Sequence, residues 1–276
     1  MKYGITLAGM GVSFRELPAL ALQAEYSGWD GIFIWDEMFG PDAWVVMTAI
    51  AAETTRIRIG ALLTPLSRRR PWKVASEVAT LDHFSNGRLI LAVGLGAVDT
   101  GFANVGEETD RKIRAQMLDE ALDVLDGLWT GESFSYSGNY YNLQDVSLGF
   151  RPLQTPRIPI WVAGAWPREK SMRRVLRCDG ILPEGKRIDG TSFNVSPEDV
   201  HAIQVYVQKR RTPESPFDIA IQNESPGDDR EQARALSQPW EEAGATWWIE
   251  NPWASKWIVN KNESGLQARV LQGPPR

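Results

Sequence analysis

The chain alternates eight short apolar runs with longer segments of helical spacing, and this alternation limits its fold more than any other feature. The runs are Tyr3–Ala8, Gly31–Trp35, Ile57–Leu63, Leu89–Val93, Ile158–Val162, Gly180–Leu182, Phe217–Ile221 and Thr246–Ile249. Short continuous apolar runs are typical of parallel strands that are buried on both faces. We therefore expect eight buried strands.

A helical segment follows each run. The first predicted helix spans Ser13–Ser27, because Ser13 and Glu16 have the spacing of a capping box and Gly28 fits the helix end. Ser196-Pro197 fits an N-cap followed by a proline at the first helical position. The other predicted helices are Asp42–Thr54, Pro71–Phe84, Glu107–Trp129, Pro167–Arg177, Ser196–Arg211, Asp228–Ala243 and Trp253–Leu271.

Eight strand–helix units are the number in a closed parallel barrel. We expect an α/β fold, a (β/α)8 TIM barrel that forms a single domain over residues 1–276. An open doubly wound sheet usually has fewer units and a glycine-rich turn after its first strand, but Gly9-Met10-Gly11 lacks the third glycine of that turn. The long stretch Thr130–Arg157 is typical of a hairpin around Ser137-Gly138-Asn139, inserted between helix 4 and strand 5.

Composition excludes several classes of partner. The formal net charge is −5 and Arg68-Arg69-Arg70 is the one dense basic run, so we expect no nucleic-acid partner. The single cysteine, Cys178, has no partner for an internal disulfide, which favours a reducing compartment. The N-terminus lacks an apolar signal core, and no apolar run approaches the roughly 18 residues of a membrane span. We expect a cytoplasmic protein without a membrane partner.

Active sites of parallel barrels form at the carboxyl ends of the strands. The residues predicted at those ends are Gly9, Asp36, Glu37, Thr64, Pro65, Gly94, Gly96, Ala163, Gly164, Ala165, Glu184, Asn223, Glu250 and Asn251. His83, His201 and Cys178 fall before a strand or inside a helix, away from this end of the barrel. We therefore expect neither a metal site nor a nucleophile activated by histidine.

The predicted site is rich in glycine and alanine, which suits a bulky cofactor that brings its own chemistry. Gly94-Leu95-Gly96-Ala97 lets the backbone approach a ring or a phosphate, or is a plain turn. Ala163-Gly164-Ala165-Trp166-Pro167 precedes a predicted helix whose free N–H groups would attract a phosphate, or is an ordinary strand-to-helix turn. Asp36-Glu37 supplies a proton donor or a ring partner; alternatively, one of the two caps a helix or pairs with an arginine.

Between Tyr3 and about Asn251 the chain resembles the luciferase-like flavin-dependent oxidoreductases. The segments that carry the resemblance are Gly28–Asp36, Arg56–Gly60, Thr64-Pro65, Pro71–Ala75, Leu81–Leu89, Val93–Gly96, Pro152–Gly164 and Asp179-Gly180. Each segment alone is modest, but their order and spacing together are specific.

The resemblance implies a (β/α)8 barrel that binds FMN or a deazaflavin of the coenzyme F-420 type. It places the ring at a bulge near Ala61, Leu62 and Thr64, with a non-proline cis peptide bond between Ala61 and Leu62. It places the cofactor phosphate on the backbone of Gly164, Ala165 and Trp166. It also implies the further cofactor-binding residues Gly94, Gly96, Asp99 and Ala163.

The chain departs from the family at the end of the second strand. Many members have Asp-His there, whereas this chain has Asp36-Glu37, which we expect to be the catalytic residues. Our hypothesis is that burial raises the pKa of Glu37, so that this side chain replaces the histidine. We expect hydride transfer between a reduced flavin or deazaflavin and a small organic substrate or, with FMN, activation of O2 in a monooxygenase reaction.

Two other functions remain open at this point. One is a flavin-binding or structural subunit with little catalysis of its own. The other is an unrelated carboxylate-based hydrolase that uses Asp36, Glu184 or Glu250. Barrels of this class are often dimers, so a homodimer is expected by analogy alone.

Overall fold

The computed structural model describes residues 1–7, 12–97, 101–187, 189–212, 216–251 and 263–276. Eight parallel strands are the main part of its larger sheet: β1 (Lys2–Thr6), β2 (Gly31–Ile34), β3 (Arg58–Pro65), β4 (Leu89–Gly94), β7 (Ile160–Trp166), β8 (Gly180–Lys186), β10 (Asp218–Asn223) and β11 (Trp247–Glu250). They close into a barrel because β10 pairs with β8 on one side and with β11 on the other. The predicted (β/α)8 barrel is confirmed.

Helices surround the barrel. Their bounds are α1 (Leu17–Tyr26), α2 (Ala43–Glu53), α3 (Pro71–Phe84), α4 (Arg111–Leu128), α5 (Glu169–Val175), α6 (Pro197–Arg210), α7 (Arg230–Glu242) and α8 (Glu263–Gln272). Two short 3-10 helices span Leu66–Arg68 and Phe102–Val105. Within the described ranges, none of the helices is long and apolar enough to cross a membrane.

The predicted helix ends are mostly within a few residues of the observed ones, and α3 has the predicted bounds. The capping box of α6 forms between Ser196 and Asp199. Helix α1 begins four residues later than predicted, because the Ser13 carbonyl accepts from the Glu16 and Leu17 N–H groups and forms a turn before the helix. The start predicted for the last helix, at Trp253, lies outside the described residues.

The predicted insertion hairpin is confirmed as β5 (Phe134–Ser137) and β6 (Asn142–Val146), an antiparallel pair outside the barrel. The buried carboxylate of Glu120 on α4 accepts from the N–H groups of Asn139, Tyr140 and Tyr141 at 2.7–3.1 Å. These three bonds fix the hairpin turn on the outer surface of the barrel. A short strand that was not predicted, β9 (Ser192–Phe193), pairs antiparallel with the end of β8.

Two hydrophobic layers fill the molecule, one between barrel and helices and one inside the barrel. Inside, the rings of Phe33, Trp161 and Trp247 contact one another with centroids 5.4–5.9 Å apart. Leu182 and Ile249 continue this inner layer toward the carboxyl ends of the strands. Since these side chains fill the barrel below, a ligand inside it has room only at the carboxyl end.

Candidate active site

The candidate site is the carboxyl end of the barrel interior, which we call the mouth. Successive strand residues face opposite sides of a sheet, so the inner layer identifies which side chains face the mouth. Its apolar half consists of Leu63 on β3, Gly94 on β4, Ala163 on β7 and Trp35, which is the residue directly after β2. Trp35, Leu63 and Ala163 are half-buried, as expected for residues between a packed core and solvent.

Gly94 and Ala163 are direct neighbours across β4 and β7. A Cβ atom built on Gly94 would lie 3.2 Å from the Ala163 Cβ and 2.8 Å from Leu63 Cδ2. Gly94 and Gly164 therefore lie on the same rim of the barrel, as the family resemblance requires. Leu63 covers the bare backbone of Gly94, and a larger residue at Gly94 would push Leu63 toward the mouth.

Strand β3 contains the expected bulge, but the cis peptide bond joins Leu62 to Leu63, one residue later than predicted. Ala61 still pairs regularly with Leu91, so the irregularity begins only after it. The register resumes at Thr64, which pairs with Val93. Strand β3 thus has two residues, Leu62 and Leu63, opposite a single residue of β4. Both of them belong to the inner layer.

This bulge changes the predicted set of cofactor-binding residues. Ala61 is buried in the outer layer, and Thr64 is wholly buried beside Val93, which also belongs to the outer layer. The side chains of Ala61 and Thr64 therefore face away from the mouth, which corrects the expectation that they reach a ring there. Leu63, which was not predicted at the site, faces the mouth instead.

Asp36 forms ion pairs with two arginines. Arg68 Nη2 lies 2.8 Å from Asp36 Oδ1 and 2.8 Å from the Asp36 carbonyl oxygen, and Arg69 Nη2 lies 3.0 Å from Oδ2. The Asp36 side chain is only 3% exposed. Of the alternatives given for Asp36, pairing with an arginine is therefore the one observed. This arrangement favours a role for Asp36 in positioning the loop after β3 rather than in donating protons.

Glu37 lies at the surface beside Asp36. Its carboxylate folds back over Gly40, where an added Cβ atom would come within 2.3 Å of Glu37 Oε2. The hypothesis of a proton donor activated by burial is therefore wrong in its physical premise, because this side chain is exposed to solvent.

Arg114 on α4 holds the loop after β4. Its Nη1 atom donates to the carbonyl oxygens of Leu95 and Gly96 at 2.7 and 2.9 Å, and burial lowers its pKa. Gly96 has a φ of +73°, and a Cβ atom there would lie 2.8 Å from the Phe102 ring. The conformation and the close approach explain glycine at this position. Asp99, predicted beside Gly96, lies outside the described residues.

The segment Ala163–Trp166 is not the loop that the sequence predicts. Strand β7 continues through it and pairs with β8 as far as Trp166 opposite Gly185, while α5 begins only at Glu169. The Ala165 N–H donates to Ser171 Oγ at 2.9 Å. The expected cradle of free amides on Gly164, Ala165 and Trp166 is therefore wrong, because strand pairing and Ser171 engage this backbone.

The Trp166 side chain also lies away from the cofactor site that the resemblance implies for this residue. Its ring contacts Tyr206 on α6, with centroids 5.9 Å apart, and its indole N–H lies 3.2 Å from Asp199 Oδ1. These contacts place the ring outside the barrel. Ala163 and Ala165 alternate with Gly164 and Trp166, so only the two alanine side chains face the mouth.

The opposite side of the mouth is polar. The alternation of β1, β8 and β10 directs Thr6, Glu184 and Gln222 inward, and Asn251 follows the end of β11. Asn251 Nδ2 donates to Gln222 Oε1 at 3.0 Å. Glu184 and Asn251 were predicted as strand ends, whereas Thr6 and Gln222 were not predicted at the site. We call these four residues the polar half.

Glu250 faces away from the mouth. It pairs with Arg269 at 3.0 Å, and both side chains are almost completely buried between β11 and α8. The indole N–H of Trp248 and the backbone N–H of Ser225 also donate to the Glu250 carboxylate, at 2.8 and 3.1 Å. A carboxylate-based glycoside hydrolase needs two carboxylates facing one ligand. Three carboxylates were considered for a hydrolase. Glu250 is a structural anchor and Asp36 is ion-paired, which leaves only Glu184 facing the mouth.

Comparisons with known proteins agree with this geometry. A family model described as luciferase-like monooxygenase matches residues 2–268. The F420-dependent glucose-6-phosphate dehydrogenase of Amycolatopsis mediterranei is 32% identical over 177 residues, which are 60% of this chain and 53% of that protein. The chain thus spans about half the length of the curated relatives it matches.

Two solved structures share the fold. An F420-dependent secondary alcohol dehydrogenase in complex with an F420–acetone adduct superimposes with a TM-score of 0.77 and 18% identity, covering 98% of this chain and 97% of that one. The oxygenating constituent of 3,6-diketocamphane monooxygenase from Pseudomonas putida, in complex with FMN, gives a TM-score of 0.64 and 19% identity, covering 86% and 71%.

Proposed function

Because the chain belongs to the luciferase-like monooxygenase family, we propose that it is an oxidoreductase that binds a flavin or deazaflavin at the mouth of the barrel. In this proposal it passes a hydride between that ring and a small organic substrate. The observation that carries it is the apolar half of the mouth, where Leu63, Gly94 and Ala163 lie side by side and the half-buried Trp35 packs on the same inner layer.

The residues present fit a planar ring. Gly94, Ala163 and Ala165 have little or no side chain, and Leu63 and Trp35 provide apolar surface beside them. Such a wall suits the face of a tricyclic ring better than it suits acid–base catalysis by the protein. When bound, the ring supplies the hydride chemistry, while the protein orients the reactants and limits the access of water.

The chain's own residues have distinct parts in this proposal. Asp36 positions Arg68 and Arg69, and through them the loop that follows the bulge of β3. Glu37 exchanges protons between the edge of the mouth and solvent. Ser171, whose hydroxyl accepts from the Ala165 N–H, keeps its own O–H to donate and is the residue that we propose at a cofactor phosphate.

Two cofactors are compatible with the family. The curated relatives are named as F420-dependent, and this favours coenzyme F-420. FMN is the alternative, which would make the protein a monooxygenase, and the structural relative that holds FMN supports it. The finer activity therefore depends on which ring this mouth binds.

A titration with each cofactor tests the proposal. Purified protein is mixed with F-420 or with FMN, and quenching of the cofactor fluorescence gives a dissociation constant. We expect saturable binding of one of them, which Ala163→Phe abolishes by filling the mouth. Ala235→Phe makes the same change on the exposed side of α7 and should leave the affinity unchanged. Failure of both cofactors to bind the wild-type protein would refute the proposal.

A further inference from the structure

Thr6 is the last residue of β1, and its side chain points into the barrel. Its neighbours Ile5 and Leu7 pack in the outer layer. The residue that pairs with Thr6 on β2 is Phe33, which belongs to the inner layer. The Thr6 side chain is wholly buried, and its hydroxyl forms no hydrogen bond with any residue that the structure describes. The hydroxyl is thus an unpaired polar group inside the barrel, close below the mouth.

Other polar groups of the described chain are also buried and unpaired. The Trp247 indole N–H is one of them and lies inside the barrel, but Trp247 is level with Lys2 at the start of β1, away from the mouth. The Tyr141 hydroxyl belongs to the insertion hairpin outside the barrel, and the Thr64 hydroxyl belongs to the outer layer. Burying a hydroxyl without a partner is unfavourable, and such groups in native proteins usually serve a ligand or an ordered water. The position of Thr6 makes a ligand at the mouth its natural partner.

Thr6 is accompanied by two amides on the neighbouring strands. Since Ile5 pairs with Glu250, Thr6 lies level with Asn251 on the adjacent strand. Asn251 in turn holds Gln222 by donating to its Oε1 atom, which leaves the Gln222 Nε2 group as a donor directed elsewhere. Hydroxyl and amide groups from three adjacent strands thus line one side of the mouth.

We propose that Thr6 is a specificity-determining residue, whose hydroxyl binds the oxygen atom of a small neutral alcohol or carbonyl compound seated on the polar half. This inference rests on the proposed function, in which the apolar half holds the cofactor ring. A threonine hydroxyl both donates and accepts, so it serves a carbonyl oxygen as well as an alcohol O–H. Thr6, Gln222 and Asn251 are uncharged and Glu184 is acidic, which selects against anionic substrates on this side.

The experiment compares three variants with three probes. Thr6→Val removes the hydroxyl and keeps the shape, Thr6→Ser keeps the hydroxyl, and Tyr141→Phe removes an unpaired buried hydroxyl outside the barrel. Binding of cyclohexanone, cyclohexanol and cyclohexanecarboxylate is measured by ligand-observed NMR, with and without cofactor. Urea unfolding and cofactor titration are measured on the same proteins.

We expect Thr6→Val to weaken binding of the ketone and the alcohol by about tenfold, which is the size of one hydrogen bond. Thr6→Ser and Tyr141→Phe should bind both as the wild-type protein does, and the carboxylate should bind less than either. The Val variant should be at least as stable as wild type, because it loses an unpaired group. It should also keep the wild-type affinity for the cofactor, whose ring lies on the other half.

Several results would overturn the inference: equal binding by Thr6→Val and wild type, no binding of either neutral probe to the wild type, or tighter binding of the carboxylate. A loss of stability in Thr6→Val would assign the hydroxyl a structural role and would also overturn it. These results are separate from the proposed function, because cofactor binding is measured independently. Wild-type protein that binds a cofactor but shows no dependence on Thr6 refutes this inference alone.

Discussion

Arg68 donates to Asp36 twice, once to the carboxylate and once to the backbone carbonyl, with both distances 2.8 Å. This pair connects the end of β2 to the loop after β3, so it ties together two of the strands whose ends form the apolar half. Arg69 adds a second cation to the same carboxylate. A carboxylate held in this way is a support for the site rather than a proton donor.

Asp36→Asn should therefore destabilise the protein. Removal of one partner from a buried ion pair leaves the other charges uncompensated, and we expect the free energy of unfolding to fall by about 3 kcal/mol. Urea denaturation measures the change. Glu132→Gln, which breaks the exposed pair of Glu132 with Arg151, is the control, with an expected change below about 1 kcal/mol. Equal effects of the two changes would contradict the positioning role.

Gly94→Ala should weaken cofactor binding. The new Cβ atom would lie 2.8 Å from Leu63 Cδ2, so Leu63 must move toward the space proposed for the ring. We expect the dissociation constant of the cofactor to rise by about tenfold or more, the size of a lost or displaced contact. The double variant Gly94→Ala with Leu63→Ala makes room again and should recover much of the affinity. No recovery would indicate that Leu63 is not the residue that responds.

Glu37→Gln tests the proposed proton exchange at the edge of the mouth. Positioned acid–base groups contribute about 100-fold or more to turnover, so kcat should fall strongly while the dissociation constant of the cofactor stays unchanged. Glu53→Gln, at the exposed end of α2, is the control. Unchanged turnover in Glu37→Gln would remove this residue from the mechanism.

Glu25, which lies at the opposite end of the barrel from the mouth, makes the stability of the protein depend on pH. Burial opposes ionisation of this side chain, but the N–H groups of Ile57, Arg56 and Thr55 donate to it, and the net effect lowers its pKa. A lowered pKa stabilises the folded state above the ordinary glutamate value of about 4.3, and this contribution is lost as the pH falls through the lower folded value.

Glu25→Gln should accordingly reduce stability at pH 7 more than at pH 3. Urea denaturation at several pH values gives the free energy of unfolding for both proteins, and their difference should shrink as the pH falls below the unfolded value. A difference that grows toward acid pH would show that the pKa of Glu25 is raised rather than lowered. Glu241→Gln, an exposed carboxylate near the N-terminus, provides the comparison.

The barrel could be predicted because its signals are local. The apolar runs and the N-cap Ser196 followed by Pro197 before α6 each act within a few residues. The family segment Leu81–Leu89 proves to be structural: the Asp82 carboxylate accepts from the N–H groups of Leu153 and Gln154, and buried Arg88 donates to backbone carbonyls around α2. Such contacts hold neighbouring elements together, which is why this segment identifies the fold.

The site was harder to predict because it depends on register between strands. A single bulge turned Leu63 inward and left Thr64 in the outer layer, and no local pattern marks that shift. Continued pairing with β8 kept Ala165 in a strand instead of a phosphate-binding turn. Thr6 and Gln222 lie far apart in the sequence and come to the same side of the mouth because β11 pairs with both β1 and β10. These relationships are visible in the pairing of strands and not in the spacing of residues.

A crystal structure of the protein soaked with coenzyme F-420, and in parallel with FMN, tests the central claim most directly. The account predicts that the ring of the bound cofactor lies at the carboxyl end of the barrel, within about 4 Å of Leu63, Gly94 and Ala163. The ring should leave the polar half of the mouth free for substrate in the same structure. A ring bound at the other end of the barrel, or outside it among the helices, would contradict the account.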